Sequence, residues 1–493
     1  MRYIVGQNRE QEIMFPSAMD DYVAEDNSTR VIDAFVDSLN LNEMKIQAEP
    51  NVTGRPSYDP RDQLKLFIYG YFNSIRSSRK LERESGRNIE LIWLLKGLSP
   101  DHKTISRFRK DNAKALKNVF RAFVKLCNKL GLYGLELAAI DGSKFKAVNS
   151  KDKNYNKKKL EDLINRIDNN LEKYMAELDE NDDNESDNKK FTKSEIEQII
   201  SELKARKSTY ESMQIQLEET DETQISSTDP DAKRMINASG GHDVSYNIQS
   251  AVDDKNNMIA EYEITNKCTD SNLLADMAIA TKETLNAETL EVVADNGYFA
   301  STDIVKCINN GIIPHVSSEH DSYTFCTETT EEESNPPINF DNQGRNIYLK
   351  DRNIALCPMG QILYPKSYTH SGGYAIFTNP KACRNCTNSH KCFKNDRRLR
   401  IRMAFSEFSY EYNDKNLHTK QILYNPDKIK LRKRKTIVEH PFGTIKRGMN
   451  SAYCLLKGIE QVRGEFALTF LAYNLKRAIN ILGTRKLLEA IVA

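Results

Sequence analysis

The 493-residue sequence lacks any apolar run that approaches the roughly 20 residues needed by a membrane-spanning helix. Its first residues, MRYIVGQNREQE, lack the apolar centre of a secretory signal peptide. Tryptophan is nearly absent, and its one position, Trp93, lies in the apolar segment NIELIWLLKGL, where we expect it to be part of a core. These absences predict a soluble, cytoplasmic protein without a membrane partner.

Neither sign of charge dominates, because 71 lysines and arginines stand against 70 aspartates and glutamates. The two signs are nevertheless segregated along the chain: residues 178–187 are acidic, whereas KIKLRKRK at 428–435 is strongly basic and lies just before Glu439. A basic strip beside an acidic residue suits a polyanionic substrate. A solvated surface or a localisation patch is the alternative explanation for such a run.

The length of the chain exceeds that of a single hydrophobic core and predicts several domains. Residues 1–130 carry apolar residues at spacings of three and four, which predicts an all-helical N-terminal domain. Within it, SPDHKTISRFRKDN resembles the second helix of a helix-turn-helix and offers Lys103, Arg107 and Arg109 as candidate DNA contacts. A purely structural amphipathic helix is the alternative.

The rest of the chain alternates between strand-like and helical segments, which predicts an α/β fold with a mixed sheet. The Asp-Gly pair between two short apolar runs in AAIDGSKFKAV predicts a β-hairpin turn. Stripes of leucine and isoleucine predict an antiparallel helical hairpin inserted at 151–222, and a polar, cysteine-containing composition predicts a β-rich insertion at 311–424. The remaining segments, 131–150, 223–310 and 425–493, would form the central domain.

Three carboxylates stand where an apolar run gives way to a turn or a helix: Asp141 in AIDGSKFKA, Asp295 in VVADNGYFA and Glu439 in IVEHPFGTIKRG. Each has an ordinary explanation, since Asp-Gly and Asp-Asn-Gly are common turn sequences and Thr436 to Glu439 fits a helix capping box. Together, three carboxylates can hold two divalent ions, which stabilise the attacking and the leaving oxygen of an in-line phosphoryl displacement.

The residues after Glu439 add a lysine to this pattern. Pro441 is best tolerated in the first turn of a helix, which predicts that a helix begins near His440. Lys446 follows Glu439 by seven residues, about two helical turns, and therefore lies on nearly the same face. A metal-binding carboxylate and a phosphate-binding lysine would then point in the same direction.

These segments resemble the motifs of the DDE transposases of bacterial insertion sequences, in particular the IS4-like and IS1182-like group. The similarity extends to RPSYDPRDQLKLFIYGY and SRKLERES near the N-terminus. The related signature has Tyr and Arg seven and four residues before the glutamate, where this chain has Arg432 and Lys435. The motifs that carry the resemblance are Asp141-Gly-Ser143, Ala294-Asp295-Asn-Gly-Tyr298 and Glu439-His-Pro-Phe-Gly-Thr-Ile-Lys446-Arg447.

The resemblance implies an RNase H-like catalytic domain in which Asp141, Asp295 and Glu439 hold two Mg²⁺ or Mn²⁺ ions. It implies a homodimer or larger oligomer that binds the terminal inverted repeats of its element, cuts double-stranded DNA there and joins the 3′ ends to target DNA at the bacterial nucleoid. An RNase H-like nuclease without transposition and a transposase-derived DNA-binding regulator are the alternatives. The implied DNA contacts in this region are Arg432, Lys435, Lys446 and Arg447.

Nine cysteines in a chain expected inside the cell argue against a disulfide framework. Four of them, in CPMG and CRNCTNSHKC, form a cysteine cluster that could hold a structural Zn²⁺ ion. The other hypothesis is that these thiols are reduced and bind no metal. Similar transposases often carry such a cluster, so the resemblance favours zinc. The candidate ligands are Cys357, Cys383, Cys386 and Cys392, with His390 as a substitute for one of them.

Overall fold

The computed structural model describes residues 18–47, 56–183, 192–220, 222–237, 239–317 and 426–492, together with shorter segments before residue 426. The shorter segments are residues 323–328, 347–349, 354–356, 362–369, 374–384, 401–404 and 419–424. Within these residues, none of the helices has the length and apolar content that crossing a membrane requires.

The helices fall into three groups along the chain. The N-terminal group comprises α1 (Ser28–Ser38), α2 (Pro60–Phe72), α3 (Ser78–Ser85), α4 (Ile89–Leu94), α5 (His102–Asp111) and α6 (Ala113–Lys129). The middle group comprises α7 (Lys157–Asp183), α8 (Lys193–Glu219), α9 (Leu274–Leu285), α10 (Ser301–Asn309) and the short α11 (Pro380–Arg384). The C-terminal group comprises α12 (Lys428–Gly443), α13 (Ile459–Leu482) and α14 (Thr484–Val492). Asn27, Asp59 and Asp101 accept hydrogen bonds from first-turn amides and so fix where α1, α2 and α5 begin.

A six-stranded mixed sheet forms the centre of the fold. Its strands are β1 (Leu137–Lys146), β4 (Lys233–Ile236), β5 (His242–Asp253), β6 (Ile259–Thr265), β7 (Leu290–Ala294) and β8 (Ile312–Val316), and β2 (Asn154–Tyr155) and β3 (Ile225–Ser226) form a separate pair. β1 pairs antiparallel with β5 and parallel with β7. β8 is parallel to β7, and β4 and β6 both pair antiparallel with β5. The predicted α/β fold with a mixed sheet is confirmed.

The predicted hairpin turn at Asp141 and Gly142 is wrong, because β1 runs straight through both residues. Asp141 lies opposite Ser250 and Gly142 lies opposite Gln249 in an antiparallel ladder with β5. β5 is 12 residues long and therefore pairs with nearly all of β1. The tertiary partner thus overrides the local turn preference of the Asp-Gly pair.

Helices cover both faces of the sheet. One face packs against α9 and α10 through an apolar cluster that includes Ile140 and Ile304. The other face packs against α6 and α13, and the core on this side includes Phe120, Val252 and Phe470. That core also contains residues of α1 and α2, so the N-terminal helices share their hydrophobic core with the sheet.

Two segments leave the central sheet and return to it. Between β1 and β5, the long helices α7 and α8 pack on each other through Ile167, Leu171, Ile196 and Ile200, and the β2–β3 pair brings their ends together. Between β8 and α12, the strands β9 (Tyr323–Glu328) and β15 (Thr419–Tyr424) form a pair, and a separate sheet consists of β10 (Ile347–Leu349), β11 (Ile354–Leu356), β12 (Ile362–Thr369), β13 (Tyr374–Thr378) and β14 (Ile401–Ala404). That these segments are insertions into an RNase H-like domain stays a prediction.

Candidate active site

Asp141 lies on β1 just beyond the part of the strand that is paired with β7. That pairing covers Leu137 to Ala139. The Asp141 side chain accepts a hydrogen bond from the Gly142 amide at 3.0 Å. Burial raises the pKa of Asp141 to about 6, while the positive charge of Arg434 opposes the rise and the negative charge of Asp295 adds to it. Asp141 is therefore a shielded carboxylate with a cation on one side and a second carboxylate on the other.

Asp295 follows β7 directly, at the carboxyl end of a parallel strand, where ligands gather in α/β sheets. It caps the turn Asn296–Tyr298 and accepts a hydrogen bond from the Gly297 amide at 3.0 Å. The turn chemistry expected from Asp-Asn-Gly is present, yet the Asp295 carboxylate is also close enough for its charge to act on Asp141. The structure thus places the first two predicted acidic residues within range of each other's charge.

Arg434 projects from α12 towards Asp141, and its Nη1 lies 3.6 Å from Asp141 Oδ2. The two side chains are only 21% and 24% exposed, so their ion pair is partly shielded from water. The sequence motifs point to Arg432 and Lys435, which are both exposed, and not to Arg434. Helical spacing could have found it, because Arg434 shares a face with the buried Ile437, three residues further along.

Glu439 lies within α12 rather than at its start. The predictions of a helix start near His440 and of a capping box ending at Glu439 are wrong, because α12 begins directly after its cap, Asp427. Asp427 accepts hydrogen bonds from two first-turn amides and so starts the helix earlier. Pro441 lies inside α12, where it cannot donate a hydrogen bond to the Ile437 carbonyl, and α12 ends two residues later at Gly443.

The Glu439 side chain is 64% exposed, and one of its oxygens lies 3.8 Å from Lys435 Nζ. Across the described ranges, no three aspartate, glutamate, histidine or cysteine side chains are close enough together to hold a metal ion. Asp141 and Asp295 thus influence each other by charge, but in the described part of the chain Asp141, Asp295 and Glu439 do not form a three-ligand group.

Lys446 lies in a π-helical turn, Thr444–Gly448, and reaches from there to β1. Its Nζ donates a hydrogen bond to Ser143 Oγ at 2.6 Å and lies 4.5 Å from the centre of the Phe145 ring. Burial lowers the pKa of the Lys446 ammonium, and the negative charge of Asp141 partly opposes this effect. The predicted phosphate-binding lysine is thus held beside the strand that carries Asp141.

Two segments of the chain match known protein families. Residues 17–111 match the family described as Transposase domain (DUF772), and residues 356–479 match the family described as Transposase DDE domain. Both matches are to transposase domains and confirm the resemblance to the DDE transposases that the sequence motifs indicate. The second matched segment contains Arg434, Glu439 and Lys446. No curated protein and no solved structure matched. Membership of the IS4-like and IS1182-like group stays a prediction.

The candidate DNA contacts differ in their exposure. Lys103 and Arg107 on α5 are exposed. Arg109 is only 6% exposed, and its guanidinium donates hydrogen bonds to the Tyr71 hydroxyl and the Arg76 carbonyl. The position of Arg109 fits the structural role that the sequence left open as the alternative, and not a DNA contact. Among the candidate DNA contacts near the C-terminus, Arg432, Lys435 and Arg447 are exposed.

One member of the cysteine cluster, Cys383, lies on α11 and is partly exposed. The other three candidate ligands, Cys357, Cys386 and Cys392, lie outside the described residues, as does His390. Zinc binding by the cysteine cluster therefore stays a prediction.

The oxygen atoms around Asp141 suit a hard divalent cation, the kind that DDE transposases generally use. Asp141 and Asp295 supply carboxylate oxygens, which Mg²⁺ prefers. Ser250, opposite Asp141 in the sheet, is fully buried, and its hydroxyl has no hydrogen-bond partner among the described residues. Two neighbouring carboxylates repel each other, and a positive charge nearby reduces this repulsion. Arg434 supplies part of that charge, and a bound cation would supply the rest.

Proposed function

We propose that the chain is an insertion-sequence transposase that binds the terminal inverted repeats of its element, cuts the DNA at their ends and joins the 3′ ends to target DNA. The observation that carries the proposal is the pairing of Asp141 and Asp295 beside β7, with Arg434 and Lys446 next to them. Adjacent carboxylates flanked by cationic side chains suit phosphoryl transfer on a polyanion. Both family matches, which are to transposase domains, support the same assignment.

We propose an RNase H-like fold for the catalytic domain. The strand order β6-β5-β1-β7-β8, in which an antiparallel meander is followed by two parallel strands, supports it. Asp141 on the central strand and Asp295 at the end of its parallel neighbour fit the same arrangement. The proposed catalytic segments are 131–150, 223–310 and 425–493, and the proposed insertions are 151–222 and 311–424.

Asp141, Asp295 and Glu439 are the proposed ligands of two Mg²⁺ or Mn²⁺ ions. Bound ions would activate water, or later a DNA 3′-hydroxyl, and would stabilise the departing oxygen. The side chains around them have separate tasks. Lys446, held by Ser143 and largely removed from water, offers a point charge to a phosphate. Arg434 balances the charge of Asp141.

DNA binding is proposed to use basic residues at both ends of the chain. A transposase must hold two element ends together, so we propose a homodimer or larger oligomer in the bacterial cytoplasm, at the nucleoid. The helices α7 and α8 are one candidate contact surface between subunits. We also propose that the cysteine cluster holds one structural Zn²⁺. The proposed DNA contacts are Lys103, Arg107, Arg432, Lys435, Lys446 and Arg447.

The test is incubation of the full chain with Mg²⁺ and duplex DNA that carries the inverted repeats flanking its reading frame. Joined products are expected, and Asp141→Asn, Asp295→Asn and Glu439→Gln should bind the DNA but neither cut nor join it. The matched control is Asp276→Asn, which removes an exposed carboxylate 2.7 Å from Lys306 and should leave joining unchanged.

Any set of DNA products other than joined products would contradict transposition. Cut DNA without joined products would favour a nuclease, and a mobility shift without cleavage would favour a DNA-binding regulator. Strand transfer by the Asp141→Asn variant would refute the assignment of the active site.

A further inference from the structure

A polar network centred on Asp270 lies behind β1. Asp270 belongs to the loop between β6 and α9. A Cβ atom on Gly142 would come within 2.7 Å of Asp270 Oδ1. Because successive strand residues face opposite sides of a sheet, Asp270 lies on the face opposite to the Asp141 side chain. The absence of a side chain at Gly142 is what allows a carboxylate to approach the strand so closely.

Asp270 collects three hydrogen-bond donors from two strands on a single oxygen. Asn247 Nδ2 and Gln249 Nε2, both on β5, lie 2.6 Å and 2.9 Å from Asp270 Oδ1. Lys144 Nζ, on β1, lies 3.2 Å from the same atom. Hydrogen bonds to a charged acceptor are about twice as strong as neutral ones. The network therefore ties β1 to β5 through Lys144, three residues beyond Asp141.

The network continues from Gln249 to the turn that follows Asp295. The Tyr298 hydroxyl donates a hydrogen bond to Gln249 Oε1, which leaves the Gln249 amide nitrogen to donate to Asp270. Tyr298 is fully buried, and burial raises its pKa, with the charges of Asp270, Asp141 and Asp295 adding to the rise. The segment of Asp295 is thus connected through Tyr298 and Gln249 to Asp270. Lys144 completes the connection to the strand of Asp141.

Packing alone does not explain this network. The rest of this sheet face is apolar, with Ala138, Ile140 and Val292 in its core. Asn247 is fully buried, and its Oδ1 has no hydrogen-bond partner among the described residues, which costs stability. Buried polar networks restrict the geometry that a core can adopt, whereas apolar side chains would fill the same space at lower cost.

We propose that Asp270 is a positioning residue. It holds Lys144 directly and Tyr298 through Gln249, and this set of contacts is called the relay below. The relay keeps Asp141 and Asp295 in the relative placement that binding of a catalytic cation requires. The purpose of this relay rests on the proposed function. The relay itself can be tested without metal or DNA.

The first test is amide hydrogen exchange of the full, metal-free chain. Asp270→Asn keeps an acceptor oxygen but removes the charge. We expect exchange in β1 around Asp141 and in the turn Asn296–Tyr298 to accelerate by about tenfold, as the loss of one charge-assisted hydrogen bond implies. The control Asp276→Asn, the same substitution in the exposed pair with Lys306, should change neither segment. Unchanged exchange in the Asp270→Asn chain would overturn the proposal.

The second test is calorimetric titration of the full chain with Mn²⁺ in the absence of DNA. Asp270→Asn and Tyr298→Phe should each weaken Mn²⁺ binding by about tenfold, the usual lower limit for residues that orient metal ligands. The double variant should bind no more weakly than the weaker single variant, because either change alone breaks the relay. Tyr298→Phe leaves the charge unchanged, so it carries the test even if Asp270→Asn unfolds.

Two results of this titration would overturn the positioning role. If the losses of Mn²⁺ affinity in the two single variants multiply in the double variant, Asp270 acts on the cation by its charge and not through Tyr298. Unchanged Mn²⁺ affinity in both variants, with normal cleavage by the wild-type chain, would contradict the positioning role and leave the proposed function intact. Cleavage by Asp141→Asn would instead refute the proposed function.

Discussion

Replacement of Asp141 by asparagine should abolish DNA cleavage and, at the same time, stabilise the folded chain at neutral pH. Burial raises the pKa of Asp141 from its ordinary 3.8 to about 6. A carboxyl group whose pKa is raised in the folded state destabilises the fold when it is ionised. Asp141 therefore does not lower the free energy of unfolding below about pH 4, and it lowers it by the full amount above about pH 6. Asparagine has nearly the same shape and no such pH dependence.

The magnitude follows from the size of the pKa change. A rise of about 2 units at about 1.4 kcal/mol per unit corresponds to about 3 kcal/mol. Because the Asp141 side chain is 24% exposed, solvent screening reduces the expected gain to about 2 kcal/mol. At an unfolding entropy of about 2.1 cal/mol/K per residue, this raises the melting temperature by about 2 °C if the whole chain unfolds together.

The assay is urea unfolding of the wild-type and Asp141→Asn chains in a chelator at pH 4 and pH 8. The stability gain should be present at pH 8 and absent at pH 4, and added Mn²⁺ should stabilise the wild type more than the variant. The exposed Asp276→Asn substitution should change stability by less than about 0.5 kcal/mol. Equal stability of the wild type and Asp141→Asn at pH 8, or a gain that is the same at both pH values, would refute the description of Asp141 as a shielded carboxylate.

Three further predictions concern the packing of the core and the zinc content of the chain. Gly142→Ala should destabilise the chain by about 1–3 kcal/mol in urea unfolding, because its Cβ would collide with Gln249 and Asp270; an unchanged midpoint would mean that this strand has more room than the structure shows. Arg76→Met leaves the fully buried Glu465, 2.5 Å from the Arg76 guanidinium, without its partner. Loss of a buried ion-pair partner lowers the free energy of unfolding by about 3–5 kcal/mol. In urea, α13 or the whole core should therefore unfold at a lower concentration, and a loss below about 1 kcal/mol would contradict this. Metal analysis of protein purified without chelator should find about one zinc per chain if the cysteine cluster is a structural site, and less than about half would count against it.

Several features of the site could be predicted from residues close together in the chain. The turn at Asp295 follows from Asp-Asn-Gly, and it lies directly after the apolar strand β7, as the sequence analysis expected. The sequence predicts that Lys446 points in the same direction as Glu439, and in the structure Lys446 bonds to Ser143, two residues from Asp141. These features depend on local turn chemistry or on motifs that the family resemblance already links.

The errors share a different cause, which is the dominance of partners distant in the chain. The Asp-Gly pair at Asp141 would make a turn in isolation, but β5, about a hundred residues later, holds it in an extended strand. Arg109 has the sequence context of a DNA contact, but Tyr71 and the Arg76 carbonyl enclose its guanidinium. Asp270 has no motif of its own, and only the folded sheet places it behind Gly142.

The helical character of the N-terminal region, the mixed α/β class and the resemblance to DDE transposases can all be recognised in the sequence. Periodicity, capping and turn chemistry act over a few residues, so they can be recognised in a linear chain. The folded chain is needed to see that Arg434 reaches Asp141, that Glu439 stays exposed and that Asp270 links the two aspartate segments. Burial and ion pairing depend on which strands and helices meet, and the contacts of Asp141 with Arg434 and of Lys144 with Asp270 join residues more than a hundred positions apart.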